Sequence, residues 1–98
     1  MVIDINGFCI FIASDGYNSS SKLLDDIYKN SNDYEKRQIM ILTNLEDDIL
    51  FASKYPDFNY MICNKPDEDK TKLEDRFNCA LNFIKVNNIK NYLLILDK

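Results

Sequence analysis

The chain has 98 residues and contains no histidine and no tryptophan, with only two glycines and two prolines. The missing histidine excludes Ser–His and Cys–His nucleophile pairs within this chain, because the base of each pair is absent. A zinc site would have to use thiolates and carboxylates alone, and the three cysteines form no CxxC pair. A zinc centre is therefore not expected.

The chain also lacks a basic cluster and a long apolar run. Lysine and arginine total 12 against 16 acidic residues, which gives a net charge of -4. Nucleic acids and anionic membranes attract clustered positive charge, so we expect neither as a partner. No run reaches the length of a membrane span, and the first residues do not resemble a signal peptide. The odd number of cysteines indicates free thiols in a reducing compartment, which predicts a cytoplasmic protein.

The chain does contain four short apolar runs, separated by stretches with helical spacing of apolar residues. The runs cover residues 8–12, 38–42, 58–63 and 92–96. They predict one α/β domain over residues 1–98, in the order β-α-β-α-β-α-β. Right-handed crossovers make this a three-layer fold, with a four-stranded parallel sheet between helices. Two strand orders fit the pattern, 3-2-1-4 and 2-1-3-4.

Local signals place the ends of the predicted helices. The Asn- and Ser-rich segment 18–21 is typical of the start of a helix, and residues 34–37 are expected to form a polar link. A second helix begins after Asn44 with an acidic first turn. The third begins at a capping-box pattern in residues 71–74 and ends near residues 87–88.

The ends of the predicted strands are the expected location of a site, because parallel sheets bind ligands at their carboxyl edge. The loop after the first strand holds Ser14, Asp15 and Tyr17. Its hydroxyls and helix start suit a phosphate, and Tyr17 offers a ring for stacking. A serine-rich N-cap explains the same residues. Asp15 would repel an anion, and the GxGxxG and Walker A patterns are absent.

Asp97 is the second candidate, because it follows the fourth strand directly. In the order 3-2-1-4 it lies near Asp15, and two such acids can hold Mg²⁺ or Mn²⁺ together with substrate phosphates. The alternative is an acid exposed to solvent at a strand end. Thr43, Asn44 and Asn64 complete the rim, and Asn44 is equally explained as a helix cap.

These segments resemble the nucleotide-binding half of GT-A glycosyltransferases. Residues 73–84, then Asn87-Asn88, then the strand ending at Asp97 are similar to the family's helix and strand before the DxD metal motif. Residues 14–18 are similar to the family's first loop, which holds the nucleotide base. The resemblance implies a nucleotide-sugar ligand, with Ser14, Asp15, Tyr17 and Asn44 as nucleotide-binding residues and Asp97 as a ligand of Mg²⁺ or Mn²⁺.

The second DxD acid and the acceptor-binding half of that family have no counterpart here. We therefore expect a nucleotide-sugar-binding half that does not catalyse transfer on its own, either as a piece of a longer enzyme or as a short relative. Two alternatives remain open. One is a small interaction module that forms a homodimer or binds a protein partner through an edge strand or helix face. The other is a flavodoxin-like binder of FMN or phosphate.

Overall fold

The computed structural model of the chain describes residues 3, 7–14, 16–63 and 73–97. Asp15 and Asn64, and the first two residues of the predicted capping box, lie outside the described residues. The described residues form four strands and four helices in the order β1 (Cys9–Ser14), α1 (Tyr17–Asn30), α2 (Asp33–Arg37), β2 (Ile39–Thr43), α3 (Leu45–Lys54), β3 (Asn59–Ile62), α4 (Leu73–Val86) and β4 (Tyr92–Asp97).

The strands form one parallel sheet in the order β3-β2-β1-β4. This confirms the order 3-2-1-4 and excludes 2-1-3-4. The chain moves from β1 outward to β3 and then crosses back to place β4 on the other side of β1. The direction of winding therefore reverses between β1 and β4.

The two faces of the sheet bury separate apolar clusters, because successive strand side chains point to opposite faces. The cluster on one face joins the sheet to α4 and contains Cys9, Phe11, Met40, Leu42, Cys63, Ala80, Ile84 and Ile89. The cluster on the other face joins it to α1 and α3 and contains Ile12, Leu24, Ile39, Ile41, Phe51, Tyr55 and Phe58. The continuous apolar sequences of β1 and β2 follow from burial on both faces.

The edge strand β4 is an exception. Tyr92, Leu93 and Leu96 are 42%, 47% and 44% exposed. This apolar run is less buried than β1 and β2, because among the described strands β4 pairs with β1 alone and forms one edge of the sheet.

Two helix starts also differ from expectation. Residues 34–37 were expected to be a link but belong to α2, where Asn32 and Glu35 form a reciprocal capping box. The Asn-x-x-Glu spacing carries this signal in the sequence. Helix α1 begins at Tyr17, with Gly16 rather than an Asn or Ser as its N-cap.

Candidate functional site

Three polar side chains form a row at the carboxyl edge of the sheet. Ser14 ends β1 and pairs in register with Asp97 of β4. Thr43 ends β2, one residue beyond the pair of Ala13 with Leu42. Each lies two residues after an isoleucine that packs against α1 and α3, namely Ile12, Ile41 or Ile95. Because strand side chains alternate between faces, all three polar side chains lie on the face covered by α1 and α3. Neighbouring strands are about 4.8 Å apart, so the row spans roughly 10 Å.

Ser14 holds the turn between β1 and α1. Its side chain is fully buried, and its Oγ accepts a hydrogen bond from the Gly16 backbone N–H at 3.2 Å. The hydroxyls of Ser14 and Ser20 are 2.7 Å apart and share a second hydrogen bond. Ser14 therefore positions the start of α1.

The two flanking side chains, in contrast, have unused hydrogen-bonding atoms. Among the described residues, Thr43 Oγ1 and Asp97 Oδ2 are the buried side-chain atoms with no hydrogen-bond partner. Thr43 is 1% exposed and Asp97 is half-buried. Buried polar groups are nearly always hydrogen-bonded. Two unpaired atoms at one edge of the sheet therefore make this edge a candidate ligand-binding site.

The start of α1 adds backbone donors to this edge. Its N-cap, Gly16, provides no side-chain cap, and the first turn of the helix contains no acid. The first helical hydrogen bond runs from Ser20 N to Gly16 O at 3.0 Å, so the N–H groups before it have no partner within the helix. Such a helix start attracts negatively charged groups.

Helix α3 begins differently, because its own residues cap it. Asn44 is 3% exposed, and its side chain accepts a hydrogen bond from Asp47 N at 2.7 Å. The amide of Asn44 also donates to Asp47 Oδ2 at 3.2 Å. A Cβ atom at position 16 would lie 3.8 Å from the same Oδ2 of Asp47. The carboxylate of Asp47 therefore lies against the turn that starts α1.

Tyr17 packs at the side of the row rather than standing free. Its ring meets the ring of Phe51 edge to face, with centroids 5.3 Å apart. Tyr17 is half-buried and packs on the cluster beneath α1 and α3. The ring therefore forms a fixed wall beside the helix start.

Among the described residues, Asp47 and Asp97 give this edge a negative charge. No group of three or more potential metal ligands occurs among the described residues. The described part of the chain thus offers Asp97 as one carboxylate ligand, and the Thr43 hydroxyl lies two strands away, roughly 10 Å from it. Asp97 fits Mg²⁺ or Mn²⁺ only where a ligand's phosphates and water supply the further oxygens.

The structure brings together most of the residues that the sequence singled out. Ser14, Thr43 and Asp97 share one row, Tyr17 and Asn44 border it, and Asp15 lies outside the described residues. Sequence reasoning missed the approach of Asp47 to the start of α1. That approach depends on how α1 and α3 pack, so the Asn44–Asp47 spacing alone signals only a cap.

Comparisons with protein-family models, curated proteins and solved structures find no match for this chain. Within the described residues, every helix is too short or too polar to cross a membrane. The functional argument therefore rests on the geometry of the site.

Proposed function

We propose that this chain is a nucleotide-binding domain that takes a nucleotide sugar, together with a divalent cation, at the carboxyl edge between β1 and β4. The proposal covers binding and not sugar transfer by this chain alone. It corresponds to the nucleotide-binding half of a GT-A-like glycosyltransferase.

The observation that carries the proposal is the position of the orphan atoms of Thr43 and Asp97. They flank the end of β1, and β1 and β4 border the point where the winding direction reverses. Open α/β sheets bind ligands at such a switch point, because the loops on its two sides diverge and leave a crevice. At Asp97 Oδ2, a ribose hydroxyl would donate a hydrogen bond or a metal ion would bind. Thr43 lies two strands away, and its hydroxyl would donate to a separate oxygen of the same ligand.

The negative charge of the edge favours a cation-bound nucleotide over a bare phosphate. Asp47 and Asp97 would repel an isolated anion, whereas Mg²⁺ or Mn²⁺ bridges a carboxylate to phosphate oxygens. In this arrangement Asp97 is the metal ligand and the start of α1 faces the phosphates. Ser14, Tyr17 and Asn44 shape the crevice, and direct contacts from them to the nucleotide stay predictions.

The flavodoxin-like alternative has less support from the topology. Flavodoxins bind FMN at a switch point between strands 1 and 3 of a 2-1-3-4-5 sheet. In this protein β1 lies between β2 and β4. We therefore do not propose FMN as the ligand.

We place the protein in the cytoplasm, as part of the same proposal. None of Cys9, Cys63 and Cys79 forms a disulfide. Two of them, Cys9 and Cys63, are buried in the cluster against α4. Cysteines without disulfides are typical of a reducing compartment.

Thermal unfolding with UDP, UDP-sugars and Mn²⁺ tests the proposal. A ligand that binds the folded state stabilises it, by about 2.7 kcal/mol at 100 times its Kd. For a domain of this size, that corresponds to a rise in Tm of roughly 10–20 °C. We expect a rise with nucleotide and Mn²⁺ together that exceeds the rise with either alone. No rise at millimolar ligand would contradict the proposal.

Two variants sharpen the test. Asp97→Asn removes the carboxylate charge and should abolish the dependence on Mn²⁺. Asp26→Asn removes a charge from the exposed face of α1 and should leave the nucleotide response unchanged. If the two variants showed the same rise in Tm with nucleotide and Mn²⁺, Asp97 would not be a ligand of the metal.

A further inference from the structure

Among the described residues, no strand pairs with the outer edge of β4, so this edge of the sheet presents unpaired backbone groups. The Cys9 backbone N–H donates to Asn91 O at 3.0 Å. Residues of a strand in a parallel ladder alternate between their two neighbours. The N–H and C=O groups of Leu93 and Ile95 therefore face β1, and those of Tyr92, Leu94 and Leu96 point to the open edge.

The central part of this strand, residues 92–96, has none of the features that usually protect a sheet edge. Natural edge strands avoid self-association with lysine, proline, bulges or inward charges. Residues 92–96 are Tyr-Leu-Leu-Ile-Leu, and they pair with β1 without interruption. Tyr92, Leu93 and Leu96 are each more than 40% exposed.

We propose that β4 pairs antiparallel with β4 of a second copy of this chain, forming a two-fold dimer with one continuous eight-stranded sheet. Leu94 lies opposite Leu94 of the second copy, Tyr92 opposite Leu96, and Leu93 opposite Ile95. Every N–H and C=O group of Tyr92, Leu94 and Leu96 then has a partner across the axis.

Side-chain complementarity selects this register. Facing residues in an antiparallel pair lie on the same face of the sheet, so the register can change only in steps that keep the faces matched. Moving it in one direction sets Leu93 against Asp97 of the second copy. Moving it in the other sets Asn91 against Ile95. Only the alignment centred on Leu94 pairs every apolar residue of the strand with another apolar residue.

The charges at the strand ends favour an antiparallel second copy. Lys90 precedes β4 and is exposed, and Asp97 ends it. In the antiparallel register, Asn91 of the second copy lies opposite Asp97, and Lys90 of the second copy is the next residue. The two opposite charges are therefore close together. A parallel alignment would instead place Asp97 beside Asp97, and like charges at facing positions destabilise a sheet.

A groove beside β4 offers a place for one of the paired side chains. Leu73, Glu74 and Phe77 of α4, together with Leu96, line a cavity of about 330 Å³. Leu96 lies on the α4 face, because it pairs with Ala13 two positions beyond Phe11. Tyr92 of the second copy lies opposite Leu96 on that face. Its ring therefore lies next to the mouth of this groove.

The size of the surface sets the expected affinity. The six residues of β4 extend for about 20 Å at ~3.3 Å per residue, and the smallest extent of the molecule is 21 Å. These dimensions give roughly 400 Å² per copy in projection, or about 800 Å² in total, which is smaller than a standard specific interface and is typical of weak, transient association. We therefore expect a reversible dimer with a Kd of roughly 1–100 µM.

Sedimentation velocity over about 5–500 µM, which brackets that range of Kd, tests the dimer. The wild-type chain should shift from monomer to dimer as its concentration rises. A wild-type chain that stays monomeric throughout would overturn the proposal, and the edge would then be available to another occupant.

A charge-exchange experiment tests the register. One double variant carries Tyr92→Glu with Leu96→Glu, and the other carries Tyr92→Lys with Leu96→Lys. Each should dimerise at least about 10-fold more weakly than wild type, because the proposed register sets like charges opposite each other. Mixing the two variants should restore dimers. Unchanged association of either variant alone, or no association of the mixture, would contradict this register.

Control measurements separate association from folding. Ile49→Lys places a lysine at a 69% exposed position on α3 and should leave the dimer unchanged. The altered positions Tyr92 and Leu96 are themselves exposed, so circular dichroism should show folded variants. If Ile49→Lys weakened the dimer and the β4 variants did not, the interface would involve α3 rather than β4. The nucleotide response does not depend on Tyr92 or Leu96, so the two proposals can fail separately.

Discussion

Replacing Thr43 with valine should stabilise the protein, although most changes at buried positions destabilise. Thr43 is 1% exposed, and its Oγ1 has no hydrogen-bond partner in the part of the chain that the structure describes. Thr43→Val keeps the branched shape that β2 packs around and removes only the unpaired hydroxyl. An unsatisfied buried polar group costs about 1–3 kcal/mol.

The expected gain in the free energy of unfolding is about 1 kcal/mol, at the lower end of that range, because a methyl group does not fill the hydroxyl position perfectly. For a domain of this size, 1 kcal/mol corresponds to a rise in Tm of roughly 4–8 °C. The same change should weaken the nucleotide response, because Thr43 lies at the proposed site.

Ser14→Ala provides the matched comparison on the neighbouring strand. The Ser14 hydroxyl is bonded to Ser20 and to the Gly16 backbone. Its removal leaves those two groups without a partner, and we expect a loss of about 1–3 kcal/mol. The two variants remove a hydroxyl from adjacent strand ends and should change stability in opposite directions.

Urea unfolding followed by far-ultraviolet circular dichroism measures both changes. Midpoints can be compared directly if the slope of the free energy with urea stays constant. A loss of more than about 1 kcal/mol in Thr43→Val would show that its hydroxyl has an intramolecular partner. That result would refute the argument that this sheet edge is open for a ligand.

Three further predictions concern other parts of the chain. Asn44→Ala removes the side-chain cap of α3 and should lower stability by about 1 kcal/mol in the same urea assay. The neighbouring Cys63 thiol lowers the pKa of Cys79, so Cys63→Ala should raise the pH midpoint of Cys79 alkylation, measured by peptide mass spectrometry. The Tyr55 hydroxyl donates to Asp25 and lowers the pKa of Asp25; Tyr55→Phe should raise that pKa in an NMR titration. Because the folded-state pKa of Asp25 is the lower one, the stability that it contributes is present above its unfolded pKa. That contribution is lost as the pH falls through the folded value.

Each of these predictions has a clear contrary result. Unchanged stability in Asn44→Ala would mean that water caps α3 equally well. An unchanged alkylation midpoint would remove Cys63 as the group that favours the Cys79 thiolate. An unchanged pKa of Asp25 in Tyr55→Phe would assign the lowering to Lys54, which forms an ion pair with Asp25 at 3.2 Å.

Much of the fold was predictable, because the relevant signals are local. The apolar runs of β1 and β2 predicted strands of a sheet between helices, and both strands are largely buried. The Asn87-Asn88 stop is confirmed: Asn88 has a positive φ of 52°, and Ile89 N donates back to Ile84 O at 3.0 Å. Helix α2 was missed because its few residues have no apolar stripe, although its capping spacing was present.

Part of the site was predictable for the same reason. Strand ends can be recognised from the sequence, so Ser14, Asn44 and Asp97 could be named as candidates at the carboxyl edge. Their individual surroundings could not be predicted. The Ser14 hydroxyl is hydrogen-bonded to Ser20, and the Asn44 side chain is hydrogen-bonded to Asp47. One carboxylate oxygen of Asp97, in contrast, has no hydrogen-bond partner among the described residues. These differences depend on side chains that meet across elements.

The sequence alone determined the number and type of the main elements and the edge at which polar residues collect, since both follow from apolar periodicity along the chain. Only the tertiary structure decided the strand order, because 3-2-1-4 and 2-1-3-4 require the same local pattern. That order places the end of β1 beside Asp97 and leaves β4 at an open edge. The proposed site and the proposed dimer surface both arise from pairings between distant segments, which no local pattern specifies.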